Sequence, residues 1–170
     1  MKTTLNQIRE HSPCKDGWRK LLAHLGKTQA DDEPLNVATI IDSNGLDDAL
    51  WCLRAVEGHA REIRLYAVWC ARQMQHPLTD PRSIAALDVA ERFANGNATQ
   101  VELASAWGAA CAAARDAAGD AARAAVGAAA WNAAGDDAWD AAWGAAWYAA
   151  WGAARVAQEI KLREICGSAA

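Results

Sequence analysis

His11 and Cys14 stand three residues apart, a spacing at which an imidazole and a thiolate can ligate one metal ion. No second pair of that kind lies nearby, so a helix start at Ser12-Pro13 with an incidental thiol explains the segment better, and no metal is expected. Asp42-Ser43-Asn44-Gly45-Leu46-Asp47-Asp48 places oxygen ligands as a calcium loop does, but Leu53 falls where the closing bidentate glutamate belongs. A helix–turn–helix junction, with Asp47 or Asp48 near a helix N-terminus, accounts for it. His59 and Glu62 share one helical turn beside Arg61 and Arg64. They could move a proton, yet such a set at the first turn of a helix is usually a solvated face. No phosphate-cradling glycine loop and no nucleophile elbow occurs. These residues predict no catalytic group, no enzyme and no cofactor.

The strongest pattern lies elsewhere. Trp139, Trp143, Trp147 and Trp151 are spaced by four in a segment made mostly of alanine. Trp107, Cys111, Arg115, Gly119, Arg123, Gly127, Trp131 and Gly135 hold the same phase, and Arg155 follows. Alanine makes the segment helical. One helix from Thr99 to Ile165 would be roughly 100 Å long, and its stripe would turn by about 40° per four residues, so no single neighbour could cover it. Ala118-Gly119-Asp120 and Ala134-Gly135-Asp136 offer two breaks, glycine ending one helix and aspartate capping the next. The spacing therefore predicts helices over about 99–118, 120–134 and 136–165. Core packing is the ordinary use of such rings. A dimer seam or partner surface is the sharper one, and a stack against a planar ligand the third. Trp139, Trp143, Trp147 and Trp151, with the acidic cluster Asp136, Asp137 and Asp140, are the candidate partner surface. Arg115, Arg123 and Arg155 would meet phosphate if the ligand were a nucleotide.

The elements before that region also read as helices. A short one spans Leu5 to Glu10. The next starts at Ser12-Pro13, carries Trp18, Leu21, Leu22 and Leu25, and stops at Gly26. Asp31-Asp32-Glu33-Pro34 opens a helix over Leu35 to Ile41, which ends at Ser43-Asn44-Gly45. Leu46 to Val56 turns Leu46, Ala49, Leu50, Leu53 and Val56 to one side. Gly58 precedes a helix from His59 to His76 whose centre, Leu65 to Ala71, is apolar all round and predicts a buried central helix ended by Pro77. Asp80-Pro81 starts a helix with Ile84, Leu87, Ala90 and Phe93/Ala94 inward and Arg82, Asp88, Glu91 and Arg92 outward, closed by Asn95-Gly96-Asn97. Thr99 and Glu102 match a capping box. Alternating strand patterns are absent, and the one β-like run, Val37 to Ile41, reads as helix. The fold class is all-α: a bundle or short solenoid of antiparallel helices, with an Ala/Trp-rich C-terminal helical hairpin region.

Composition narrows the partners. The chain has 170 residues, nine tryptophans, one phenylalanine and a net charge of −4. Between residues 101 and 154, six acids face two bases. That balance disfavours a nucleic-acid polymer, which needs clustered lysine and arginine, and suits a basic protein partner. Five irregularly spaced cysteines without a Cys-x-x-Cys read as reduced thiols. No secretory leader and no membrane-spanning run is present, so the expected location is the cytoplasm.

The run Asn44 to Val56, then Arg64 to Ala71, Asp80-Pro81-Arg82, Ala85 to Gly96 and Ala114 to Arg123, resembles the Imm-5-like immunity proteins. These are all-helical bacterial and phage-borne proteins associated with toxin or defence systems. The resemblance covers about residues 45–165. It implies an N-terminal helical segment, 1–44, ahead of a helical immunity-like domain, 45–170, that neutralises a toxin or defence effector by direct protein contact. It carries no catalytic residues. The tryptophan stripe departs from the family pattern, which implies a different partner. Two alternatives stand beside this reading: a sponge that stacks a signalling nucleotide, and a structural homo-oligomer joined through the stripe.

Overall fold

The computed structural model describes residues 1–73, 80–113, 152 and 154–167. Among these residues it is all-α apart from one pair of two-residue strands. The chain divides into two units by its internal contacts, residues 1–66 with 157–170, and residues 67–156.

The first unit begins with β1 (Lys2–Thr3), paired antiparallel to β2 (Leu35–Asn36), with Lys2 opposite Asn36 and Thr3 opposite Leu35. No period-two pattern announces so short a pair. It is anchored from outside, because the Thr3 hydroxyl donates to the carbonyl of Ala55 at 2.6 Å. Helix α1 (Leu5–Glu10) is capped by Thr4, whose hydroxyl accepts from the amide of Gln7 at 3.1 Å. Its Leu5 and Ile8, one turn apart, are both buried.

Helix α2 (Lys15–His24) starts later than its serine–proline signal suggests. Ser12 is left-handed, with φ of 57°, and its amide closes α1 by donating to Arg9. Cys14 is the cap instead, its sulfur accepting from the Gly17 amide at 3.3 Å. Helix α3 (Val37–Asn44) also starts two residues beyond expectation. Pairing holds Leu35 and Asn36 extended, so the Asn36 side chain caps the helix through the Ala38 amide at 2.8 Å. The acids expected at that helix start serve elsewhere: Asp31 and Glu33 clamp the Lys27 ammonium at 2.7 and 2.6 Å.

Gly45 separates α3 from α4 (Leu46–Cys52), which runs into a single 3-10 turn, Leu53–Ala55. Helix α3 packs on both α2 and α4. Val37 and Ile40 are fully enclosed there. Among the described residues, helix α7 (100–113) belongs to the second unit and is followed by α8 (154–167). Its portion within the first unit supplies Leu162, at 0% exposure, and Cys166 to the same core. Tyr66 donates its hydroxyl to the Gln158 carbonyl at 3.0 Å, and Arg163 meets Asp42 at 2.6 Å. The Met1 ammonium donates to the Cys166 carbonyl at 3.1 Å.

Helix α5 (Ala60–Gln73) leaves the first unit at Tyr66. It is not buried all round. Tyr66 and Val68 are buried, whereas Ala67 is exposed and Leu65, Trp69 and Cys70 are partly so. Helical geometry spreads seven consecutive apolar residues over every direction, and only part of that circumference meets a neighbour.

In the second unit α6 (Pro81–Ala94) starts as its Asp80-Pro81 signal predicts, Asp80 capping through the Arg82 amide at 2.8 Å. The outward Asp88 and Glu91 both reach Arg72 of α5, at 2.8 and 2.7 Å. Helix α7 covers residues 100–113 and opens on the capping box. The Thr99 amide donates to Glu102 at 2.7 Å and the Glu102 amide to the Thr99 hydroxyl at 3.2 Å. The breaks expected at Gly119 and Gly135, and the end of α5 at Pro77, lie outside the described residues.

Candidate functional site

In the first unit a cavity of about 290 Å³ opens between α2 and α4. Ile8, Leu21 and Ile40 give it an apolar floor. Trp18 of α2 and Trp51 of α4 wall it, both partly exposed, and Cys14, Asp47 and Asp48 stand around it. Its charged lining is acidic, with two carboxylates and no base. The Trp51 ring already accepts a cation: the Arg54 guanidinium lies 4.4 Å from its centroid.

The local sequence explains the geometry. Asp47 and Asp48 occupy the first turn of α4, where the helix dipole favours acids. Asn44 holds the wall in place, donating through its amide to the Gly17 carbonyl at 2.8 Å and to an Asp48 oxygen at 2.7 Å. Ser43 fixes the other end of that amide, donating to its oxygen at 2.7 Å. Gly17 belongs here because the helices approach closely. A β-carbon on it would sit 2.8 Å from Asp48 Oδ2 and 3.1 Å from Cys14 Sγ.

Two motifs that fail as metal sites thus meet in one place. Cys14 of the His-x-x-Cys segment and Asp47 and Asp48 of the calcium-like loop line the same cavity. Their ligand atoms serve the fold instead: Cys14 caps α2, Asp42 pairs with Arg163, and Asp48 accepts from Asn44. Among the described residues no group of three or more His, Cys, Asp or Glu side chains could hold a metal ion. His59 Nδ1 and Glu62 lie 3.8 Å apart with both side chains partly exposed. Trp18 and Trp51 were not singled out by spacing, since they lie outside the four-residue stripe. The available signal was that each shares a helix with an N-terminal acid, Asp16 or Asp47.

Trp139, Trp143, Trp147, Trp151, Asp136, Asp137, Asp140, Arg115 and Arg123 lie outside the described residues. Arg155 is on α8 and partly exposed. Trp107 is described, and it is not a core residue: 70% of it is exposed, beside Leu87 and Leu103. No described helix is long and apolar enough to cross a membrane.

None of the five cysteines forms a disulfide. Burial, reinforced by the nearby Asp48 charge, pushes the Cys52 thiol up to about 12. Cys52 therefore stays protonated and unreactive at neutral pH. The unfolded chain would release that proton first, near its ordinary value of 9.0. Stability should thus fall as pH rises from there toward about 12 and be insensitive to Cys52 below it. In native protein at about pH 8, iodoacetamide should modify exposed Cys14 first, and Cys52 and Cys166 only on unfolding. Peptide mass mapping reads this directly, and labelling of Cys52 as fast as Cys14 would mean that α4 does not seal the cavity floor.

No family model matches the chain, and neither does any curated protein or solved structure.

Proposed function

We propose that this chain is a non-catalytic binding protein that works in the cytoplasm and neutralises a toxin or defence effector by direct protein contact. The observation that carries the reading is the α2–α4 cavity: two indoles and two carboxylates around an apolar floor, with its one sequestered thiol protonated. Apolar walls with a few placed polar groups suit recognition, and the acidic lining suits a basic partner. The acid-rich segment between residues 101 and 154 and the Imm-5-like resemblance point the same way. A nucleotide sponge needs cations in its lining to meet phosphate, and the charged residues that line this cavity are carboxylates.

The test is capture with the full chain from lysate of a host carrying a candidate toxin or defence system. The expected result is a stoichiometric basic protein, released by salt, that arrests growth when expressed alone and is tolerated when this chain is co-expressed. Capture of no such protein at low salt, or undiminished toxicity on co-expression, would overturn the reading.

A further inference from the structure

We infer that the α2–α4 cavity is a receptor for one guanidinium or alkylammonium side chain, an arginine or lysine presented by the protein partner. The inference rests on the binding role proposed above and names the group recognised.

Size comes first. A cavity of about 290 Å³ sits at the lower edge of the ~300–1,000 Å³ typical of sites for drug-sized ligands, and so matches a side chain better than a larger molecule. Chemistry comes next. A long basic side chain has an apolar stem and a charged head, and the cavity has an apolar floor and an acidic margin. Indole is the best aromatic partner for a cation, and Trp51 shows that use within this chain by holding Arg54. Arg54 is not among the lining residues, so its charge does not fill the cavity.

Asp48 supplies the anchor. One of its oxygens accepts from Asn44. Among the described residues no donor reaches the other oxygen, which leaves it able to take a charge-assisted hydrogen bond. The Asn44 clamp also fixes the carboxylate in advance, so little ordering remains on binding. Anionic ligands meet the opposite situation, two negative charges and no donor from a basic lining residue.

The test uses the full chain, isotopically labelled, and follows the indole N–H signals of Trp18 and Trp51, assigned with Trp18→Phe and Trp51→Phe. The probes are agmatine, its uncharged urea analogue, and capped tripeptides Gly-Arg-Gly and Gly-Glu-Gly. Agmatine and Gly-Arg-Gly should move both signals saturably, with affinity falling as salt rises, while the urea analogue and Gly-Glu-Gly should leave them in place. Asp48→Asn should weaken binding about tenfold, the scale of one charge-assisted hydrogen bond. Asp47→Asn, at an exposed position, keeps the test decisive if the first variant does not fold, and should weaken binding by a smaller factor with steeper loss at low salt. Equal response to charged and uncharged probes, or no saturable shift at Trp18, overturns the inference. Binding of agmatine without Gly-Arg-Gly overturns the assignment to a partner's side chain. A captured toxin that binds wild type and Asp48→Asn equally overturns the cavity's role while leaving the proposed function standing.

Discussion

Leu162→Ala should lower the stability of the first unit by about 3 kcal/mol, within the ~2–5 kcal/mol range of buried leucine truncations. Leu162 is completely enclosed, and three polar contacts tie its helix down. Tyr66 holds Gln158 one turn before it, Arg163 beside it pairs with Asp42, and the Met1 ammonium meets Cys166 one turn after it. Those polar ties restrain the helix from sinking into the space that alanine leaves, so the lost packing should be felt almost in full. Ile160 on the same helix is 55% exposed. Ile160→Ala should therefore cost well under 1 kcal/mol, and the pair separates docking from helix propensity. Urea unfolding of both variants measures the difference. Equal small losses would mean that residues 157–167 do not pack on the N-terminal helices.

That packing was not legible in the sequence. Leu162 repeats with Cys166 at helical spacing, so a buried face was readable, but periodicity does not say which neighbour covers it. The helices themselves were readable because each carries a local signal. Asp80-Pro81 and the Thr99–Glu102 capping box form as written, since the groups involved lie within one turn of each other. The starts of α2 and α3 shift because another element competes for the same residues. Ser12 is taken by the end of α1, three residues from Arg9, a contest between two local signals. Leu35-Asn36 is taken by a strand 32 or more residues earlier in the chain, where a long-range partner overrides the local signal. The same limit applies to the candidate site. Cys14, Asp47 and Asp48 drew notice through two motifs that each fail alone, and only the approach of α2 to α4 over Gly17 turns them into one cavity.

Gly45→Ala should destabilise the first unit by about 1–3 kcal/mol through the backbone alone. Gly45 adopts φ of 93° and ψ of 177°, a conformation open essentially to glycine. A β-carbon there would meet nothing within 4 Å, so steric crowding from neighbours is not the cause. The strain would fall on the junction between α3 and α4, where the Gly45 amide donates to the Ile41 carbonyl at 2.9 Å and Asn44 reaches across to Gly17 and Asp48. Relief by rotation at Gly45 would change the direction in which α4 leaves α3, and with it the approach of α4 to α2. The substitution should therefore weaken cation binding in the cavity as well as stability, whereas Ile160→Ala should leave binding unchanged. Thermal unfolding reads the first effect, and titration with agmatine at the Trp18 indole signal reads the second. A variant with unchanged melting temperature and unchanged binding would show that the α3–α4 turn is not held by Gly45, and that the geometry of the cavity is set elsewhere.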